Sequence, residues 1–125
     1  MGPQRPATQA GVSVVNQGTR LCALAQLSEG RSLGFDPWGA GHDQVFALLH
    51  GGQVRVFRNS CPHLDVPLEY RKDRYLSADG AWIICYAHGA RFDPVDGRCV
   101  YGPCLDEHLT ALRHRVEGGE VWLEP

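Results

Sequence analysis

A chain of 125 residues with 43% hydrophobic and 21% charged residues is long enough to bury its own core and is balanced as globular proteins are. Its formal net charge of −2 offers no basic stripe for nucleic acid, and no apolar run reaches membrane-spanning length, so neither is an expected partner. The stretch MGPQRPATQAGVSVVNQGT lacks the apolar segment of a signal peptide, and Thr8 falls two positions too late for a myristoylation motif, so a cytoplasmic location is expected.

Five cysteines are an odd number for a complete disulfide framework, and in a reducing compartment such usage points to metal ligation for some and burial for others. Fifteen glycines and eight prolines imply many turns, which favours an all-β fold.

Residues 1–18 are rich in Gly, Pro, Gln, Thr and Ser and are expected to form a flexible tail before a single domain over 19–125. Order is expected to begin near RLCALAQL as a first strand, followed by RSLGFDP as a second extended piece. QVFALLHGGQVRVF then reads as a hairpin turning at Gly51-Gly52, because glycine reaches the positive φ that tight hairpin turns require. LTALRHRVEGGEVWLE repeats the pattern at Gly118-Gly119. Between the hairpins, about 58–105, lies an insertion rich in turn residues with short apolar runs such as AWIICY. Long loops of this kind are usually functional or disordered, and its Cys, His, Gly and Pro content favours function. The best helix candidate anywhere is LDEHLTAL.

The insertion carries two short-spaced metal-ligand pairs. NSCPHLDVPLE contains Cys61-x-His63; after 21 intervening residues, CYAHGARFD contains Cys85-x-x-His88. Each pair lies in its own loop, so two loop tips can converge on one point. Two thiolates and two imidazoles suit a tetrahedral zinc, or a two-iron cluster with thiolates on one iron and imidazoles on the other. Spacing leaves both open.

NSCPHLDVPLE, CYAHGARFDPVDGRC and VYGPC together resemble the two cluster loops and the proline loop of the Rieske ferredoxin family, over at least residues 59–104. The resemblance implies an antiparallel β-sandwich with a loop-rich cluster-binding subdomain, holding one Rieske-type [2Fe–2S] cluster. By that resemblance Cys61 and Cys85 hold the inner iron, which stays ferric, while His63 and His88 bind the outer iron near solvent. Gly89 would allow the turn after the second ligand to approach the cluster closely. Successive backbone N–H groups of the loops would surround the sulfides. Gly102 and Pro103 would form a lid that excludes water without donating a hydrogen bond.

The departures from high-potential relatives are informative. Those proteins join an extra cysteine in each cluster loop as a disulfide; here the positions are Val66 and Ala87. They also aim a serine and a tyrosine hydroxyl at the cluster sulfurs, where this chain has Ala90 and Phe92. Hydrogen bonds to the sulfurs stabilise the reduced cluster, so the resemblance implies a low potential. Tyr86 stands where many ferredoxin-type relatives have proline.

Among the remaining residues, His42, His50, His108 and His114 have no ligand spacing and read as ordinary polar residues. Cys22 reads as a small buried hydrophobe. Cys99 and Cys104 flank the proline loop; a disulfide or redox role is conceivable, but burial is favoured. Trp38, Trp82 and Trp122 are expected in the core or scaffold. Leu64 and Tyr86, beside ligands, are expected at an exposed docking rim.

The function implied is one-electron transfer from a reductase to a terminal oxygenase or other redox enzyme, with partners docking near His63 and His88. An electron-transfer protein fits better than a stand-alone catalyst, since no facial triad for mononuclear iron is recognisable. Two alternatives stand beside it: a small Rieske subunit of a larger enzyme such as a nitrite-reductase-like complex, and a structural zinc module for protein interaction.

Overall fold

The computed structural model describes residues 18–125; apart from Gly18, the expected tail over 1–18 lies outside the described residues. Nine strands and one short 3₁₀ turn, Leu24–Gln26, make up the regular structure of the described residues. The strands are β1 (Thr19–Ala23), β2 (Ser32–Phe35), β3 (Val45–His50), β4 (Gln53–Arg58), β5 (Ile83–Cys85), β6 (Ala90–Phe92), β7 (Cys99–Tyr101), β8 (His114–Glu117) and β9 (Glu120–Leu123). They form three antiparallel sheets of three strands, ordered β1-β9-β8, β2-β3-β4 and β5-β6-β7. The all-β antiparallel architecture expected from the sequence is therefore observed.

The described chain divides into two compact units: residues up to Leu24 together with Arg113–Pro125, and Ala25–Leu112. In the first, β8 and β9 form the closing hairpin, with Gly118 and Gly119 at φ +62° and +74°. Strand β1 adds to the free edge of β9, with a bulge between Arg20 and Cys22. Leu21, Cys22, Val121 and Leu123 are buried, and the Arg115 guanidinium sits 5.1 Å from the centre of the half-buried Trp122 ring.

The second unit holds the larger core. Strand β3 is apolar without alternation and its first four residues are buried, as a central strand between β2 and β4 requires. Gly51 and Gly52 turn β3 into β4 at φ +60° and +78°, matching the hairpin expected there. In β6 the alternation Ala90 in, Arg91 out, Phe92 in is that of a strand with one solvated face. Phe46, Phe57, Leu68, Tyr75, Ile83, Phe92 and Leu109 belong to one buried cluster that also contains Cys61, Cys85, Cys99 and Cys104. No helix of the described residues is long and apolar enough to cross a membrane.

Two expectations are corrected. LDEHLTAL forms no helix: His108 bridges Arg98 and Ala111 bridges Phe57, while Leu109 N–H donates to the Gly97 carbonyl at 2.9 Å. Long-range partners take the backbone groups that a helix would pair locally, and Leu109 is buried from extended backbone. Trp38 is not in the core; it is 61% exposed on the turn after β2.

Candidate metal centre

The first loop leaves β4 through Asn59, whose buried side chain organises the segment after it. Its Oδ1 accepts from Leu68 N–H at 2.8 Å, and its Nδ2 donates to the Asp43 carbonyl and to Glu69 Oε1, each at 2.9 Å. One amide thereby fixes both ends of the stretch that carries Cys61 and His63. Within it, Cys61 N–H donates to Val66 O at 2.8 Å and Asp65 N–H donates to Cys61 O at 2.7 Å. Asp65 closes the ring at φ +55°, its carboxylate hydrogen-bonded to the Ser60 hydroxyl.

The second loop is the four-residue turn of the β5–β6 hairpin. Cys85 ends β5 opposite Ala90, and Tyr86 to Gly89 connect them. Gly89 N–H donates to Cys85 O at 2.7 Å from φ +75°, a backbone region that residues with a Cβ rarely enter. Tyr86 ties this loop to the first, its N–H donating to Leu68 O at 3.0 Å. Its hydroxyl donates to Leu76 O at 2.7 Å.

The two pairs separate by burial. Cys61 and Cys85 are 2% and 1% exposed, whereas His63 and His88 both lie on the surface. The imidazole rings meet edge to face with centroids 5.3 Å apart at 80°. Burial pushes the Cys85 thiol pKa up; the Ala87 and His88 backbone N–H groups, donating to its sulfur, oppose that rise, and the neighbouring Cys61 adds to it. Such amides would favour the thiolate of a ligand, the nest expected around this end.

A third segment packs on the start of β6, directly after the second loop. Gly102 lies so close to it that a Cβ there would sit 2.9 Å from Ala90 Cα, and its φ of +111° is one that only glycine adopts without strain. Pro103 follows on the surface. Val66 packs against the core cluster and Ala87 is exposed.

Among the described residues, no three His, Cys, Asp or Glu side chains are arranged to hold one metal ion. The arrangement is two pairs, a buried thiol pair with amide donors and an exposed imidazole pair. That donor set fits a two-iron cluster better than a single tetrahedral ion. Sequence reasoning missed Asn59 and the part that Cys104 plays near Cys61. Asn59 left a signal, since asparagine at the start of a loop commonly bonds nearby backbone; Cys104 left none.

Comparison with known proteins agrees with this geometry. A family model for the Rieske [2Fe–2S] domain matches residues 17–116. Among solved structures, the ferredoxin of carbazole 1,9a-dioxygenase from Nocardioides aromaticivorans IC177 is 29% identical at a TM-score of 0.65, covering 85% of this chain and 95% of its own. The Sphingomonas yanoikuyae B1 ferredoxin shares the fold at 24% identity and a TM-score of 0.65, with 86% and 98% covered. The terminal oxygenase of the Nocardioides carbazole dioxygenase is similar at 20% identity and a TM-score of 0.63, covering 88% of this chain and 31% of its own. No curated protein matches by sequence. The match across residues 17–116 decides between the chemistries that spacing left open: the chain belongs to the Rieske [2Fe–2S] domain family, and its cofactor is a Rieske-type [2Fe–2S] cluster.

Proposed function

We propose that this protein is a one-electron carrier in which Cys61 and Cys85 hold the inner iron and His63 and His88 the outer one. The observation that carries the reading is the separation of the pairs, with both thiols buried and both imidazoles on the surface 5.3 Å apart. When bound, a Rieske cluster takes up and gives back one electron. The chain supplies the rest. Amides of Ala87 and His88 favour the Cys85 thiolate, the Gly102-Pro103 segment shields the second loop, and the imidazoles form the exit to a partner.

The surface beside them suits docking. Leu64 is 52% exposed and Tyr86 41%, and the Tyr70 and Tyr86 rings touch with centroids 5.5 Å apart. Behind the tyrosines an open groove of about 700 Å³ is lined by Arg31, Arg71, Lys72 and Arg74. Lys72 is held by Asp43 at 2.8 Å and the Arg71 guanidinium lies 5.5 Å from the centre of the Tyr70 ring, while the exposed Arg31 and Arg74 line the groove and suit carboxylates of a partner. An aromatic rim beside guanidinium groups is the composition of protein contact surfaces. Similar ferredoxins support a terminal oxygenase as acceptor: one solved structure is a complex of reduced oxygenase and oxidised ferredoxin in carbazole 1,9a-dioxygenase. No disulfide joins any of the five cysteines, which supports a reducing, cytoplasmic setting.

The test is an electron paramagnetic resonance spectrum of dithionite-reduced protein together with iron and acid-labile sulfide analysis. A rhombic signal with about two irons and two sulfides per chain supports the reading. A silent spectrum with one zinc overturns it. Rapid-mixing transfer to a purified ring-hydroxylating oxygenase then separates a free carrier from a subunit, which instead copurifies with its larger enzyme.

A further inference from the structure

Two cysteines outside the proposed ligand set meet in the core. Cys99 begins β7, fixed by its register with Phe92 and by two backbone bonds: Cys99 N–H to Glu107 O at 2.7 Å and Asp106 N–H to Cys99 O at 3.0 Å. The intervening turn doubles back over the strand, with Glu107 N–H donating to Cys104 O at 2.8 Å and Asp106 at φ +71°. That fold-back sets Cys104 Sγ 3.0 Å from Cys99 Sγ. Both side chains are buried, at 0% and 1% exposure. A disulfide bond requires about 2.05 Å, so a closing movement of ~1 Å joins the two sulfurs.

A third sulfur makes the pair consequential. Cys104 also shares the buried core cluster with Cys61, close enough for the two sulfurs to influence each other. One thiol thus faces a resolving cysteine on one side and a proposed ligand on the other.

We propose that Cys99 and Cys104 form a second redox site, a dithiol–disulfide pair oxidised by small disulfides such as glutathione disulfide. The Cys104 thiolate attacks one sulfur of the small disulfide, whose S–S bond breaks and releases one small thiolate. Cys99 then attacks the mixed disulfide at Cys104 and releases the second. The protein gives up two electrons and two protons, and the protons end on the two released thiols. Entry at Cys104 requires the 103–105 turn to open, since its side chain is 1% exposed; Pro103 and Leu105 on either side of it are exposed, whereas Cys99 lies in a strand. The dithiol form keeps an S–H beside Cys61 that can donate to a ligand thiolate; the disulfide has none. Losing a donor to a cluster sulfur disfavours the reduced cluster, so closing the disulfide lowers the one-electron midpoint. This coupling rests on Cys61 being a ligand, while disulfide formation does not.

The experiment incubates cluster-loaded wild-type protein with glutathione disulfide without air, with and without later dithiothreitol. Thiols are then alkylated after denaturation and cluster removal, and the disulfide-linked peptides are mapped by mass. The expected result is loss of two of the five alkylatable thiols, a Cys99–Cys104 linkage, an unchanged visible spectrum, and a lowered midpoint that dithiothreitol restores. Cys99→Ser traps Cys104 as the mixed disulfide. Five thiols retained, a different pairing, or loss of thiols only with loss of the cluster overturns the site. A Cys99–Cys104 disulfide with no change in midpoint overturns the coupling alone, and absence of a two-iron spectrum beforehand identifies failure of the ligand assignment instead.

Discussion

His63 and His88 come from loops on different strands, yet their rings meet edge to face on the surface, above two cysteines that the core covers. The contact exists because both loops are tied to one residue: Leu68 receives Tyr86 N–H on its carbonyl and gives its own N–H to Asn59. Replacing any of Cys61, His63, Cys85 or His88 by alanine is expected to abolish the rhombic reduced signal and lower bound iron at least tenfold. The exposed His42, outside the pairs, serves as control, and His42→Ala should retain full iron content. Iron retention in a ligand variant would remove that residue from the set.

Asn59→Ala tests the anchor rather than the ligands. The substitution leaves Leu68 N–H, whose residue is 0% exposed, without its acceptor. A buried donor left unpaired costs about 1–3 kcal/mol, and thermal unfolding of the cluster-free chain should show a loss of that size. Cluster retention should fall as well, with ligand identity unchanged. A melting curve matching wild type would show that the loop holds itself without Asn59.

Gly102→Ala should be harmful for a different reason. The new methyl would press on Ala90 Cα at 2.9 Å from a φ of +111°. Backbone strain of this kind costs roughly 1–3 kcal/mol, and the strand that must yield begins directly after the second loop. The half-life of the visible cluster spectrum in air is the measurement, and it should shorten several-fold. Gly39→Ala, where φ is +69° but a Cβ meets open space, separates the conformational cost from the contact.

Local chemistry was legible in the sequence and long-range closure was not. Both Gly-Gly hairpins and the spacing of both Cys/His pairs could be read because each depends on residues only a few positions apart. The fate of LDEHLTAL could not, since Leu109 and Leu112 are held extended by the carbonyls of Gly97 and Val56. Strands β6 and β7 are three residues each, too short to show a period. Cys99 and Cys104 stand close in sequence, but their contact depends on a turn with Asp106 at positive φ, which residue types alone do not announce. Trp38, expected in the core or scaffold, is left exposed by the turn that carries it.

The potential should be low because the second loop runs into residues without hydroxyls. Ala90 and Phe92 are buried in β6, and neither side chain can donate. The midpoint is expected toward the negative end of the roughly −150 to +300 mV Rieske range, and a value above about +100 mV contradicts the argument. Ala90→Ser introduces one donor. A hydrogen bond worth about 1 kcal/mol in favour of the reduced state corresponds to a rise of ~40 mV for one electron. Potentiometric titration of both proteins in one buffer decides it, and an unchanged midpoint would place the residue 90 side chain out of reach of the cluster.

Alkaline stability should depend on Tyr75. The residue is 0% exposed, its ring stacked on Phe46 with centroids 4.3 Å apart and planes 8° from parallel. Burial pushes its phenol pKa far above 10, and the carboxylates of Glu69, Asp43 and Asp73 add to the rise. The folded chain therefore keeps a proton that the unfolded chain releases from about pH 10 upward. Because the native state then binds more protons, stability is intact below pH 10 and falls as pH rises, by about 1.4 kcal/mol per unit from this group. Tyr75→Phe keeps the stacked ring and removes the proton. Denaturant unfolding at pH 8 should differ little between the two proteins, while at pH 11 the variant should be the more stable by about 1 kcal/mol. Equal losses of stability in both on going from pH 8 to pH 11 would show that the folded chain ionises Tyr75 as readily as the unfolded one.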